Sequence, residues 1–180
     1  MNHVPSGRPG HRVPHIPISL PGGEAFPSST IDLCADGFAL LVGPRGHGWI
    51  EACRRLAAEG QPLAAVPLQC FRCCEAGSAP AKSDDPRVFL DVAAFLSIFG
   101  VEESGAVLCR PDGHNAFRAA SAPATPARMR QALAEAFETV LCTAGPALER
   151  VVPSWVATSP SDLGSLLAGG SEGGASRSRL

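Results

Sequence analysis

Residues 38–60 read FALLVGPRGHGWIEACRRLAAEG, and the prediction of the fold rests on them. The first five residues, Phe38–Val42, form a short apolar run that is typical of a buried strand. From Trp49 onward, apolar residues recur at helical spacing, which predicts a helix over 49–59. We therefore expect a strand and a helix joined by the glycine-rich loop Gly43–Gly48.

The region that follows continues the alternation of strands and helices. In chain order the pattern predicts a strand over 63–68, a loop over 71–86, a largely buried helix over 88–99, a hairpin over 106–118 and a helix over 126–141. The hairpin follows from the turn Pro111-Asp112-Gly113, in which proline presets the first position and glycine supplies a positive φ. Thr125 can cap the last helix, and Pro126 suits its first position. The order β-α-β-α-β-β-α predicts an α/β fold with a thioredoxin-like mixed sheet.

The two ends of the chain differ from this central region in composition. Residues 1–30 carry six prolines, which predicts an extended Pro-rich arm. Residues 31–145 are expected to form the thioredoxin-like domain, and 146–180 a mostly disordered Gly/Ser-rich tail. The arm is expected to expose four large apolar side chains and so to favour self-association or a partner chain. These side chains are Ile16, Ile18, Leu20 and Phe26.

Length and charge exclude several classes of protein. With 180 residues the chain is predicted to be one domain. Fifteen basic and seventeen acidic residues give a net charge of −2, which argues against nucleic acid and membrane partners. No apolar run is long enough to span a membrane, and no secretory signal begins the sequence. The seven scattered cysteines are therefore expected to be reduced thiols in a cytoplasmic protein.

The loop Gly43–Gly48 stands where phosphate-binding loops occur, between a strand and a helix. It lacks the residues that such loops use, because Trp49 and Ile50 replace the Lys and Ser/Thr of a P-loop. Glu51 replaces the third glycine of a dinucleotide fingerprint. Two interpretations remain: a glycine-rich turn into a helix, or a small-anion or partner-binding module. In the second, the candidate interaction residues are Arg45, His47 and Trp49.

Two further groups of residues are candidates for chemistry. Cys70 and Cys73 form a CxxC, which is either a thiol oxidoreductase motif or part of a solvated or half-buried thiol cluster. Arg110, Asp112 and His114 lie on the predicted turn, where they either bind a partner or small anion or complete the turn itself. His11 and His15 have the spacing of helical metal ligands, but the prolines around them exclude the helix. No catalytic, cofactor-binding or metal-binding residue is predicted.

Four segments together resemble the C-terminal end of a known family. They are PGHRVPH (9–15), STIDL (29–33), DGFALL (36–41, with Gly48-Trp49) and GAVLCRPDGH (105–114, with Phe117-Arg118). They resemble the PGxRxPH, STLDL and GAVLVRPDGHVAWR segments of FAD-dependent aromatic-ring hydroxylases, which are phenol and polyketide monooxygenases. The resemblance covers roughly residues 8–142 in order.

This resemblance implies a thioredoxin-like C-terminal domain that supports folding, subunit contacts or the closed form of the enzyme. The family hydroxylates aromatic rings with FAD, NAD(P)H and O₂, and it binds the flavin through upstream GxGxxG, DG and GDAAH segments. None of those segments is identified in this sequence. We therefore expect a stand-alone or truncated domain that binds no cofactor and is inactive alone. Its accessory role would be to pack on a flavin-binding monooxygenase chain or on itself.

Overall fold

The computed structural model of the chain describes residues 4–23, 26–59, 66–78 and 86–142. The strands within these residues are β1 (Phe38–Val42), β2 (Leu68–Cys74), β3 (Arg87–Phe89), β4 (Ala106–Cys109) and β5 (Asn115–Ala119). The helices are α1 (His47–Ala58), α2 (Val92–Phe99) and α3 (Pro126–Val140), and a 3-10 turn over Asp32–Cys34 precedes β1. No helix in this described part has the length and apolar character needed to cross a membrane. The predicted tail over 146–180 and residues 63–65 of the predicted second strand lie outside the described residues.

The described strands form one mixed sheet in the order β3-β2-β1-β4-β5. The central strand β1 runs parallel to β2 and antiparallel to β4, and β5 is antiparallel to β4. The predicted α/β class and the mixed sheet are therefore confirmed. The observed order differs from the predicted one only by the short strand β3, which pairs with β2 in parallel at one edge.

All five residues of β1 are buried, so the strand divides the core into two clusters. Phe38, Leu40 and Val42 pack with α1 and α3 on one face of the sheet. Ala39 and Leu41 belong to the cluster on the other face, with α2 and the 3-10 turn. This two-sided burial explains why β1 reads as a continuous apolar run rather than an alternating one.

The sequence prediction was wrong between residues 71 and 91. Residues 71–74 continue β2 rather than beginning a loop, and β3 occupies the start of the predicted helix over 88–99. The helix instead begins at Val92, because the Asp91 carboxylate caps it by accepting a hydrogen bond from the Ala94 N–H at 2.8 Å. Val88 and Phe89 are apolar because β3 is half-buried, and the apolar run from there into α2 hides the boundary between them.

Other elements match their predictions closely. Helix α1 begins two residues before the predicted start, and α3 has Pro126 in its first turn. The Thr125 hydroxyl accepts a hydrogen bond from the Arg128 N–H at 3.4 Å, as its capping role requires. The hairpin of β4 and β5 is confirmed, with a bulge between Leu108 and Cys109.

The arm crosses the sheet on the α2 side. Arg12 pairs with His114 beside the start of β5, and Ser19 pairs with Phe89 at the end of β3. The seven residue-to-residue steps from Arg12 to Ser19 reach about 23 Å when extended, which compares with about 19 Å for the four gaps between strands in a five-stranded sheet. The arm then turns back, so that Ser28 and Thr30 bond Ile18 and Ile16. The predicted extended conformation is confirmed for the described part of the arm.

The expectation that the arm exposes its apolar side chains was wrong for Ile16. Ile16 is 3% exposed and belongs to the same cluster as α2, with Val13 beside it. Ile18 and Leu20 are partly buried against that cluster. Only Phe26 of the four predicted side chains is strongly exposed, at 65%. The arm therefore forms part of the core, which removes most of the basis for predicting self-association.

We predict that Ile16→Ala lowers the free energy of unfolding by about 2–5 kcal/mol, because it leaves a cavity in the core. Ile31→Ala is the matched control, since Ile31 is 44% exposed, and it should cost no more than about 1 kcal/mol. Urea unfolding followed by tryptophan fluorescence measures both. Equal costs would mean that the arm does not pack as described.

Candidate functional site

The turn between β4 and β5 is held by a set of local hydrogen bonds. The Arg110 N–H donates to the His114 carbonyl at 2.8 Å, and Gly113 has a φ of +75°. The Asp112 carboxylate accepts from the His114 N–H at 3.2 Å and forms an ion pair with Arg110. The three predicted residues Arg110, Asp112 and His114 therefore lie together, and their contacts with one another are those of turn formation.

The Asp112 carboxylate is held in its charged form by these neighbours. Slight desolvation raises the pKa of Asp112, but the charge and hydrogen bond of Arg110, with the N–H and charge of His114, lower it by more. The pKa therefore lies below its ordinary value, so the ion pair with Arg110 is complete near neutral pH and is lost on acidification through that lowered pKa. Because the carboxylate is 46% exposed, solvent screens most of this contribution.

The same turn also holds the arm. The Gly10 N–H donates to the Asn115 carbonyl and the Asn115 N–H to the His11 carbonyl, both at 2.8 Å. The Asn115 side chain is buried, and its amide nitrogen donates to the carbonyls of Ser6 at 3.1 Å and Arg12 at 3.5 Å. We call this contact between residues 6–13 and 110–115 the arm–hairpin seam.

A second clamp holds the arm farther along its path. The Thr30 hydroxyl is fully buried; it donates to the Pro14 carbonyl at 2.6 Å and accepts from the Ile16 N–H at 3.0 Å. The Ser29 hydroxyl lies 2.7 Å from Nδ1 of His15. Among the described residues, four polar or charged side chains are buried, and three of them bond the first half of the arm, within residues 6–16: Ser29, Thr30 and Asn115. Since buried polar groups require partners, these side chains fix the position of the arm.

Sequence reasoning did not identify Asn115 or Thr30 as important. No local signal identifies them, because the carbonyls that they bond lie more than ten residues away in the sequence. His11 and His15, which share helical spacing in the sequence, lie on this extended arm and bond Ser6 and Ser29 respectively.

The backbone of the loop Gly43–Gly48 is bonded to the segment before β4. The Arg45 N–H donates to the Glu103 carbonyl at 2.8 Å and the Gly43 N–H to the Gly105 carbonyl at 3.0 Å. A Cβ on Gly43 would lie 2.3 Å from the Glu103 carbonyl oxygen, so glycine is needed for close packing. These N–H groups are not directed at a ligand, so the loop does not fit the phosphates of a dinucleotide.

Side chains next to this loop also serve the packing. The Trp49 indole N–H donates to the Ser104 carbonyl at 2.9 Å, and its ring is fully buried. Arg45 lies 3.7 Å from Glu103, and Nε2 of His47 lies 3.4 Å from Glu51. These contacts favour the interpretation of a glycine-rich turn into a helix and give no support to an anion site.

The two groups of predicted interaction residues lie at opposite ends of the sheet. The loop with Arg45, His47 and Trp49 follows the end of β1, whereas the turn with Arg110 and His114 follows the end of β4. Because β1 and β4 are antiparallel, those two ends face away from each other. The structure therefore does not combine them into one site.

The pairing of Cys70 with Cys73 is excluded by geometry. Both residues lie in β2, and residues three apart in a strand point to opposite faces. Cys70 packs against the cluster of α1, while Cys73 is fully buried in the cluster of α2. Their Cα atoms are about 10 Å apart at the rise of a strand, which exceeds the limit of about 7 Å for a disulfide.

The thiols instead form contacts between different elements. Cys53 of α1 and Cys70 of β2 line one groove, and Cys34 of the 3-10 turn and Cys109 of β4 lie in the same buried cluster. The described residues contain no group of three or more His, Cys, Asp or Glu that could hold a metal ion. The sequence could not reveal these thiol pairs, because their members are separated by 17 and 75 positions.

Comparison with known proteins identifies the family to which the chain is similar, and the match includes the arm–hairpin seam. A family model described as "Aromatic-ring hydroxylase, C-terminal" matches residues 6–141. Tetracenomycin A2 monooxygenase-dioxygenase of Streptomyces glaucescens is 38% identical over 121 residues, which are 67% of this chain and 19% of that protein. Aklavinone 12-hydroxylase RdmE of Streptomyces purpurascens is 36% identical over 125 residues, which are 69% and 20% of the two chains.

A solved structure shows the same similarity in three dimensions. It is the ternary complex of aklavinone-11 hydroxylase with FAD and aklavinone, with a TM-score of 0.57 and 35% sequence identity. The match covers 77% of this chain and 22% of that one. The chain thus spans about a fifth of the length of each of these proteins.

We predict that Asn115→Ala releases the start of the arm, because it leaves the Ser6 and Arg12 carbonyls without their donor. Each stranded carbonyl should cost about 1–3 kcal/mol, and trypsin should cleave faster after Arg12. The control is Gln131→Ala, which removes an exposed amide on α3 that bonds Glu135. Equal cleavage rates in the two variants would show that Asn115 does not hold the arm.

Proposed function

We propose, from the premise that this chain belongs to the family of aromatic-ring hydroxylase C-terminal domains, that it serves as the accessory domain of an FAD-dependent aromatic hydroxylase. In that role it packs against the part of the enzyme that binds flavin and substrate. The observation that carries the proposal is the family match over residues 6–141, which includes both sides of the arm–hairpin seam. The substrate class suggested by relatives whose names contain 2,4-dichlorophenol 6-monooxygenase and polyketide hydroxylase is a phenolic or polyketide ring.

The accessory role is supported by how the family-like segments are used. The segments at 9–15 and 105–114 contact each other, and their polar groups complete the arm and the turn. The Asn115 side chain bonds Ser6, Arg12 and Cys109, and the Thr30 hydroxyl bonds Pro14 and Ile16. These residues stabilise the fold of this chain, which agrees with the role of a supporting domain rather than a catalytic one.

The surface of the seam is the part best suited to contact a flavin-binding chain. Arg8, His11 and Arg12 are exposed on the arm, and Arg110 and His114 lie beside them on the turn. One carboxylate, Asp112, belongs to the same turn, so the exposed charge of the seam is mainly positive. A positive surface would favour a partner whose facing surface is acidic.

The proposal places the FAD site outside this chain. The loop most like a phosphate cradle uses the N–H groups of Gly43 and Arg45 to bond carbonyls of the same chain. In the proposed enzyme, FAD would be bound by the larger part and would supply the oxygen-activating chemistry there. This domain would act by supporting that part.

A chimera tests the proposal. Residues 6–141 would replace the corresponding C-terminal fifth of aklavinone 12-hydroxylase RdmE, and substrate-dependent NAD(P)H oxidation would be measured. We predict that the chimera retains flavin and activity, whereas RdmE without that fifth loses both. A chimera that folds and binds FAD but stays as inactive as the truncated enzyme would contradict the proposal.

Charge reversal in the same chimera locates the contact. Arg12→Glu, at the seam, should lower activity about tenfold, which corresponds to roughly 1.4 kcal/mol of interface energy. Arg45→Glu is the matched control, because Arg45 is 79% exposed at the other end of the sheet. If Arg45→Glu lowers activity and Arg12→Glu does not, the docking surface lies at the other end of the sheet, which would contradict the proposed contact at the seam.

The chain alone gives a separate prediction. FAD fluorescence should not change when purified chain is added, because no described residue forms a flavin-binding cradle. A titration up to high protein concentration measures this. Saturable quenching would show a flavin site that the proposed division of roles excludes.

A further inference from the structure

A groove of about 530 Å³ lies between α1 and β2 and is separate from the arm–hairpin seam. Two thiols line it, Cys53 from the helix and Cys70 from the strand, together with apolar side chains such as Ile50 and Leu68. Arg54 of α1 also lines the groove. The groove therefore brings a pair of thiols and a cation to one opening.

The two thiols lie at the same opening. Both side chains line the groove, and both pack with the cluster between the sheet and α1. The hydrogen bond from Cys70 lowers the pKa of Cys53; burial opposes this, and the charge of Arg54 assists it. The pKa of Cys70 is raised by the same hydrogen bond and by burial. Cys53 is thus the member of the pair that loses its proton first.

Access distinguishes this pair from the other cysteines. Cys70 is half-buried at the groove, whereas Cys34 and Cys109 are 1% and 0% exposed and lie inside the other cluster. Cys73 is also fully buried, and the exposed Cys142 lies at the end of the described residues. Cys53 is 5% exposed but lines the same groove as Cys70, so a small molecule in the groove can reach both thiols.

We propose that Cys53 and Cys70 form a redox modification site that a small hydroperoxide converts into a disulfide. The Cys53 thiolate attacks one peroxide oxygen, and the O–O bond breaks to give a sulfenic acid and, after protonation, one water when the oxidant is hydrogen peroxide. The Cys70 sulfur then attacks the Cys53 sulfur. The S–O bond breaks as the S–S bond forms, and the hydroxide leaves as a second water with the Cys70 proton. Two thiols lose two electrons, and the peroxide gains them.

The disulfide would join α1 to β2 and close a loop of 18 residues from Cys53 to Cys70. A cross-link of this kind restricts the unfolded chain and so stabilises the folded one. A small thiol would reverse it by exchange. The site would thereby make the attachment of α1 to the sheet depend on redox conditions, whether or not the domain has the function proposed above.

Peptide mapping of the native wild-type chain tests the proposal. The chain is treated with limiting hydrogen peroxide, free thiols are alkylated, and the protein is digested with trypsin without reduction. Cleavage after Arg45, Arg54, Arg55 and Arg72 places Cys53 in peptide 46–54 and Cys70 in peptide 56–72, apart from Cys73. We expect those two peptides to be joined, the joined mass to be two hydrogens below their sum, and dithiothreitol to separate them.

Two variants and one comparison complete the test. Cys142→Ser should leave the joined peptide unchanged, and Cys70→Ser should abolish it and leave Cys53 as a sulfenic acid that dimedone traps. The fully buried pair of Cys34 and Cys109 should stay alkylatable after unfolding. Oxidation of Cys34 with Cys109 before Cys53 with Cys70, or sulfinic acid at Cys53 or Cys70 without the joined peptide, would overturn the proposal.

Discussion

The arm can lie across the sheet only because its backbone groups have buried partners. A chain segment that leaves water must bond its N–H and carbonyl groups, and six prolines among the described residues of the arm remove donors from that requirement. The remaining groups are bonded by the turn after β4, by the edge at Phe89 and by the side chains of Asn115 and Thr30. The Asn115 and Thr30 side chains would themselves be costly to bury if the arm did not supply their hydrogen-bond partners.

This constraint determines how one face of the sheet is covered. On the other face two helices of twelve and fifteen residues, α1 and α3, pack over β1. On the arm side the eight-residue helix α2 is too short to cover all five strands. Val13 and Ile16 of the arm complete the cluster around Phe95 and Phe99. The arm therefore covers the part of this face that a second helix would otherwise cover. This explains why the family match begins within the arm, at residue 6.

Sequence reasoning succeeded where local signals agree with the tertiary structure. The turn Pro111-Asp112-Gly113 and the cap at Thr125 gave the hairpin and α3 correctly, because each is decided by residues close in the chain. It failed at β2, where the polar residues Gln69 and Arg72 conceal a strand that has partners on both sides. It also failed for the arm and the thiol pairs. From the sequence alone, Ile16 is interpreted as exposed and Cys70 as a possible partner of Cys73. Correct assignments require knowing which element packs against each residue.

The central claim is that the arm and the sheet form one cooperative unit, on which the proposed accessory role depends. Native-state hydrogen exchange of the chain tests it most directly, at the amides of Val13, Ile18 and Thr30, which donate to Gly113, Ser28 and Ile16. The account predicts that these amides exchange with the same free energy and denaturant dependence as those of Leu40 and Leu108 in the sheet. Arm amides that exchange as fast as in an unstructured peptide, while the sheet stays protected, would contradict it.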